Sequence, residues 1–215
     1  AQFERWFAVT HNTAKFEMRL RGRMVVGLGG KNPLEFGITL HHLTGLPYIP
    51  GSALKGLARS YALLSLASLA GVPIEADALK AFDEALSAGR YDEEESARHY
   101  HLAFGTQADA GGCVFYDAVI SNVTDPQKSL FTIDVMTPHF VNYYTANGTP
   151  NDGDNPKPVS YIVVREGISF GFAVGTRTGF TDEGTRKQAR NWLRAGLEEL
   201  GVGAKTAQGY GVFTR

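Results

Sequence analysis

Only one cysteine, Cys113, occurs in 215 residues, so no disulfide can form within the chain, and a reducing compartment fits. Charge of neither sign dominates: 21 lysines and arginines face 22 aspartates and glutamates, a net charge of −1. Bulk attraction for a polyanion is therefore not built in, and only a local basic patch can supply it. Long apolar runs are lacking too. The most apolar stretch, Tyr61 to Ala70, is far shorter than the ~20 residues that span a bilayer, and it contains Ser65 and Ser68. Residues 1–20 carry Glu4, Arg5, His11, Lys15, Glu17 and Arg19, which is not the pattern of a secretory leader. The expectation is a soluble cytoplasmic protein with no membrane partner.

Recognisable cofactor motifs are also missing. No Gly-x-x-x-x-Gly-Lys-Ser/Thr occurs, and no Gly-x-Gly-x-x-Gly opens a helix after a strand. His41, His42, His99 and His101 fall into no zinc-type spacing. No metal and no cofactor are expected.

What is present is 43% hydrophobic residues, enough for a sizeable core, and 25 glycines gathered in loops. Phe16, Met18 and Leu20 alternate with Glu17, Arg19 and Arg21, the pattern of a half-buried strand. Pro47 and Pro50 make the segment before residue 51 extended. Ser52 is placed to cap a helix with Leu54, Leu57, Ala58, Tyr61 and Leu64 on one stripe, ended by Gly71 and Pro73. Residues 75–104 read as helical with a break near Gly89. Val114–Ile120 and Leu130–Met136 read as strands joined by a turn at Asp125-Pro126, and residues 138–158 as a long loop excursion. Val159–Val164 and Ile168–Val174 suggest a hairpin about Glu166-Gly167. Thr181 is placed to cap a last helix carrying Ala189, Trp192, Leu193, Leu197 and Leu200, followed by Gly201 and a short strand over 210–214. This order predicts an α+β fold, an antiparallel sheet with helices on one face, in a single domain over 1–215 with a helical insertion near 72–104.

Two glycine-rich stretches carry the chemistry. In Gly201-Val-Gly-Ala-Lys-Thr-Ala-Gln-Gly-Tyr-Gly211, the glycines would let backbone N–H groups approach a phosphate. Lys205 would add charge, and Tyr210 a face for a base or sugar. A plain helix-to-strand connection would use the same glycines. In Tyr48-Ile-Pro-Gly-Ser-Ala-Leu-Lys-Gly-Leu-Ala-Arg59, Lys55 and Arg59 share a face beside a helix N-terminus, which attracts anions. Two solvated cations would look the same. Arg186, Arg190 and Arg194 recur every four residues as a possible basic stripe. Asp134 and His139 sit close enough in sequence to suggest acid–base cleavage of RNA, but Pro138 redirects the chain between them.

Residues 45–59, GLPYIPGSALKGLAR, resemble the first-helix signature of the RAMP superfamily of CRISPR proteins, and residues 201–213, GVGAKTAQGYGVF, resemble its C-terminal glycine-rich loop. FGTQADAGGCVFYDA (104–118) also fits. IDVMTPHFVNYYTANGTPNDGDNPKPVSYIVV, within 132–164, is similar to a stretch typical of the sixth RAMP subunit of the Cmr, or type III-B, effector complex.

The resemblance implies a ferredoxin-like, RRM-type fold. It also implies a non-catalytic crRNA-binding and assembly subunit at the end of an RNA-guided, RNA-targeting backbone for antiviral defence. The implied partners are crRNA, target RNA, other RAMP subunits and a small helical subunit. On this reading Ser52, Lys55, Arg59, His139, Gly201, Gly203, Lys205, Thr206, Gly209, Tyr210 and Gly211 contact RNA, with Arg186, Arg190 and Arg194 adding charge. The 138–158 excursion would be a projection onto the guide–target duplex. The alternative is a RAMP endoribonuclease that processes CRISPR repeat RNA.

Overall fold

Alternation of large and small side chains organises the sheet. The computed structural model describes residues 2–10, 13–28, 38–90, 95–106, 108–125, 127–137 and 158–215. Along the chain the elements are α1 (Gln2–Val9), β1 (Ala14–Leu20), β2 (Tyr48–Ile49), α2 (Gly51–Leu69), α3 (Ala76–Ser87), α4 (Glu95–Phe104) and β3 (Cys113–Phe115). They continue with β4 (Ala118–Val123), β5 (Phe131–Met136), β6 (Val159–Val164), β7 (Ile168–Thr176), α5 (Glu183–Glu199) and β8 (Phe213–Thr214).

The main sheet is antiparallel in the order β2-β4-β7-β1-β8, with β3 also against β7. Leaving out the short strands β2 and β3, the spatial order β4-β7-β1-β8 is that of a ferredoxin-like fold, as expected. On β7, Ile168, Phe170, Phe172 and Val174 are buried against the helical layer, while Phe16 of β1 stacks on Phe172 at 5.1 Å. The intervening positions of β7 are small because the other face is covered. A Cβ on Gly171 would enter the ring of Phe3 on α1, and one on Gly175 would come within 2.9 Å of Tyr116. The residues before β1 thus include a helix over the second face of the sheet, pinned by Trp6 Nε1 donating to the Asp117 carbonyl at 2.8 Å.

On the first face α2 and α5 lie side by side, and Gly196 makes room: a Cβ there would be 3.1 Å from Leu57. The stretch read as helical over 75–104 contains α3 and α4, separated near Gly89, whose φ is +68°. Arg59 ties this layer together. Its Nη2 donates to both oxygens of Asp83 on α3 at 3.0 Å, and its Nε donates to the Tyr100 hydroxyl on α4 at 3.0 Å.

Four expectations are corrected. β6 does not form a hairpin with β7, because β7 is already paired on both edges, by β1 on one and by β3 and β4 on the other; β6 pairs instead with β5 in a separate two-stranded sheet. The strand over 114–120 is broken at residues 116–117, where Asp117 turns aside and its carboxylate accepts the Gly51 N–H at 2.7 Å. Ser52 is not the cap of α2: Pro50 holds that position, with no side-chain cap, and Ser52 is exposed. Asp182, not Thr181, caps α5, accepting the Thr185 N–H at 2.9 Å.

Candidate nucleic-acid interface

The C-terminal loop is held by its own chain. The Ala204 N–H donates to the Val25 carbonyl at 2.9 Å, the Gly211 N–H to Arg23 at 2.8 Å, and the Val202 N–H to Gly211 at 2.9 Å. A Cβ on Gly203 would strike the Val25 carbonyl, and one on Gly211 the Val202 carbonyl. Both residues also sit at positive φ, +96° and +66°. Gly203 therefore serves the close approach of Val25 and Val26, and Gly211 the closure of the loop against its own start at Val202. Gly209, at φ +84° with open space where a Cβ would be, is the one that presents bare backbone outward.

Beneath the loop lies a second small core. Val25, Tyr161 and Val163 are buried there, with Leu28, Met136, Ala204 and Tyr210 packed against them. The β5–β6 sheet is thereby fastened to the loop, and a polar chain runs across the junction. The Arg23 guanidinium lies 2.7 Å from Asp134, Tyr210 donates its hydroxyl to the same carboxylate, and the Tyr161 and Tyr210 hydroxyls are 3.2 Å apart. Burial would raise the Asp134 pKa. Hydrogen bonds from Tyr210, Arg23 and the Val135 N–H outweigh burial and hold it at about 2. Burial, then Asp134, pushes the Tyr210 phenol up, so it stays a donor.

Lys205 completes the array. Its ammonium donates to Tyr161 at 2.9 Å and lies 4.4 Å from the centre of that ring and 5.9 Å from Tyr210's. A lysine has three N–H donors, and among the described residues a hydrogen bond uses one of them. Among the described residues Lys205 alone, apart from glycines, has a positive φ, +62°. It precedes a single 3₁₀ turn, Thr206–Gln208.

The other predicted residues lie elsewhere. Lys55 stands near Cys113, as do Asp182 and Arg186 at the start of α5. Lys205 follows the end of that helix and engages Tyr161 and Tyr210, so the two lysines have no side-chain partner in common among the described residues. They do not form one compact site. The anion position at the start of α2 is already taken by Asp117, and Arg59 is committed to Asp83 and Tyr100. Lys55 has no hydrogen-bond or ion-pair partner among the described residues. Of the stripe, Arg186 pairs with Glu183 at 2.7 Å, Arg194 lies 3.6 Å from Glu198, and Arg190 packs over Phe16 at 5.4 Å. His139 and residues 138–157 of the excursion lie outside the described residues. His99 and His101 engage separate partners, Thr185 and the Ser87 carbonyl. Sequence reasoning missed Arg23 and Tyr161. The alternation Arg19, Arg21, Arg23 running out of β1 was the available signal.

The RAMP superfamily model matches residues 17–214. The Cmr6 subunit of the CRISPR Cmr system of Pyrococcus furiosus is 32% identical over 93% of this chain and 66% of its own length. That of Saccharolobus solfataricus is 27% identical over 96% and 59% respectively. The chain therefore spans slightly less than two thirds of the length of these relatives. The crystal structure of the Pyrococcus furiosus Cmr6 superposes with a TM-score of 0.60 at 28% identity, covering 94% of this chain and 97% of that one. A chain in the cryo-EM structure of the type III-B Cmr-beta complex bound to cognate target RNA superposes at 0.68 with 23% identity, covering 99% and 62%. With the ferredoxin-like sheet, the glycine-rich loop folded back on β1 and a family match running almost end to end, the chain belongs to the RAMP superfamily.

Proposed function

We propose that this chain is a non-catalytic RNA-binding and assembly subunit of a type III-B CRISPR effector, working in the cytoplasm. The observation that carries the reading is the similarity, over more than nine tenths of the chain, to Cmr6 subunits from two organisms. The RNA would be the guide, contacted through backbone and shape, while base pairing by the guide reads the target. Neighbours would be other RAMP subunits and the small helical subunit. The loop suits this role: among the described residues Lys205 spends one N–H on Tyr161, and its ammonium stands beside the outward backbone of Gly209. Asp134, the carboxylate nearest in sequence to His139, accepts from Tyr210 and Arg23 and is held ionised, which fits a structural part better than a proton-transferring one.

The test is affinity purification of the tagged chain from its host, with sequencing of bound RNA and identification of bound proteins. Guide RNA together with other RAMP subunits supports the proposal. Recovery free of RNA and of RAMP subunits refutes it, and specific cleavage of labelled repeat RNA by the purified chain would replace it with the endoribonuclease reading.

A further inference from the structure

A second basic surface, which none of the sequence motifs covers, opens beside the loop. Four segments that are far apart in sequence converge on one cleft of about 400 Å³ at the end of the sheet. β1 and its continuation bring Arg19 and Arg21, the β4–β5 connection brings Lys128, the β6–β7 turn brings Arg165, and the end of β8 brings Arg215. Among the described residues two carboxylates line the same cleft, Asp125 and Glu166, leaving an excess of three positive side chains in a chain whose net charge is −1.

The pairing is uneven. Lys128 lies 3.3 Å from Asp125, Arg165 donates to the Ser129 carbonyl at 2.9 Å, and Arg215 reaches Glu198 at 3.4 Å. Arg19 and Arg21 have no ion-pair partner among the described residues. The hydrogen bond from Lys128 and then the Gln127 N–H hold the Asp125 carboxyl below its usual range, and the nearby Arg165 acts in the same direction.

The cleft is continuous with the loop. The Arg21 N–H donates to the Val212 carbonyl at 2.9 Å, and a Cβ on Gly22 would be 3.0 Å from the Gly209 carbonyl. Arg21 and Arg23 thus flank the point where the loop crosses β1's continuation.

We infer that this cleft binds successive phosphates of a single RNA strand, with Arg19 and Arg21 as its principal ligands and the strand passing on to the Gly209–Lys205 loop. The inference rests on the proposed RNA-binding role and gives that RNA a path. Arginine suits it because its planar fork matches two phosphate oxygens at once. A run of cations from separate segments, rather than one aromatic pocket, indicates backbone contact without reading of base sequence.

The test uses the full chain and a fluorescein-labelled oligouridine of about twenty nucleotides, titrated by anisotropy at several salt concentrations from roughly 50 to 200 mM. The wild-type chain binds at the lowest salt. The double variant Arg19→Gln/Arg21→Gln binds about tenfold more weakly there, and its slope of log K against log salt is shallower by about 1.4, two phosphates at ~0.7 each. The exposed Lys187 on α5, replaced as Lys187→Gln, leaves both unchanged. A thermal melt of each variant separates lost binding from lost fold.

If the double variant melts like the wild type and keeps its slope, the cleft is not the path; if Lys205→Met then weakens binding, the RNA-binding role stands without it. Absence of binding by the wild-type chain at low salt overturns the cleft. Stronger binding of a labelled oligoglutamate than of the oligouridine also overturns it, in favour of an acidic protein partner. Purification from the host without RNA is the separate result that overturns the role itself.

Discussion

Replacing Tyr210 by phenylalanine removes one oxygen and keeps the ring, so it isolates the polar chain under the loop. In the folded protein that hydroxyl donates to Asp134 and sits 3.2 Å from the Tyr161 hydroxyl. A hydrogen bond to a charged acceptor contributes roughly 1.5–3 kcal/mol. The carboxylate gives an independent figure. Its displacement from 3.8 to about 2 corresponds to about 2.4 kcal/mol at 1.36 kcal/mol per unit.

Arg23 is 48% exposed, so solvent screening reduces the whole array to about 1–2 kcal/mol. Tyr210→Phe should therefore lower the unfolding free energy by about 1.5 kcal/mol at neutral pH, or roughly 3–6 °C in Tm for a chain of this size. The pH dependence carries the sharper signature. A depressed carboxyl stabilises the fold fully above its unfolded value, and that stability drains away as pH falls from about 4 through about 2.

Without the Tyr210 donor the Asp134 pKa moves back up, and the variant's acid profile flattens over that interval. Urea unfolding followed by the fluorescence of Trp6 and Trp192, repeated between neutral pH and about pH 2, measures both. Equal stability at neutral pH, or wild-type and variant curves parallel throughout the acid range, would refute the assignment of Tyr210 and Asp134 as a coupled pair.

Gly211→Ala meets both a positive φ and the Val202 carbonyl and should destabilise by more than 2 kcal/mol on thermal melting, whereas Gly209→Ala, strained but sterically open, should lose about 1 kcal/mol. Arg59→Ala breaks the bridge from α2 to Asp83 and Tyr100; partial exposure limits the loss to about 1–2 kcal/mol, and RNA affinity at fixed salt should not change. Asp117→Ala leaves the Gly51 N–H without its acceptor and should lower stability by about 1 kcal/mol in the same assay. Cys113 is buried, and burial pushes its thiol up to about 12, so a thiol reagent at mild alkaline pH should label it only as fast as the protein unfolds.

Local pattern made much of this fold readable. The alternation at Phe16, Met18 and Leu20 specifies which face of β1 is buried, and the apolar stripe of α2 places Leu54 and Ala58 in the core. What could not be read depends on partners distant in the chain. Glu166-Gly167 has the local form of a hairpin turn, with Gly167 at φ +81°, yet its N–H goes to Leu20 because both edges of β7 are occupied. Lys55 and Lys205 look like two halves of one phosphate site, yet Lys55 stands near Cys113 and Lys205 sits on Tyr161. The glycines of the loop were legible as a special backbone, but not as a backbone shaped to close on itself at Gly201 and Gly211 and to fit Val25 at Gly203. The α1 helix was invisible for the same reason: its cover for Gly171 is a match between segments more than 160 residues apart.

Lys205 is also a target for engineering. A lysine held at φ +62° is about 1 kcal/mol less comfortable than a glycine would be, and a consensus-minded or energy-minded redesign would replace it. Glycine there would relax the backbone and delete the ammonium that spans Tyr161 and Tyr210. Robustness and placed charge thus compete at a single position, and a stabilised variant of this protein that accepts glycine at 205 would gain heat tolerance at the expense of the charge that the loop is built to display.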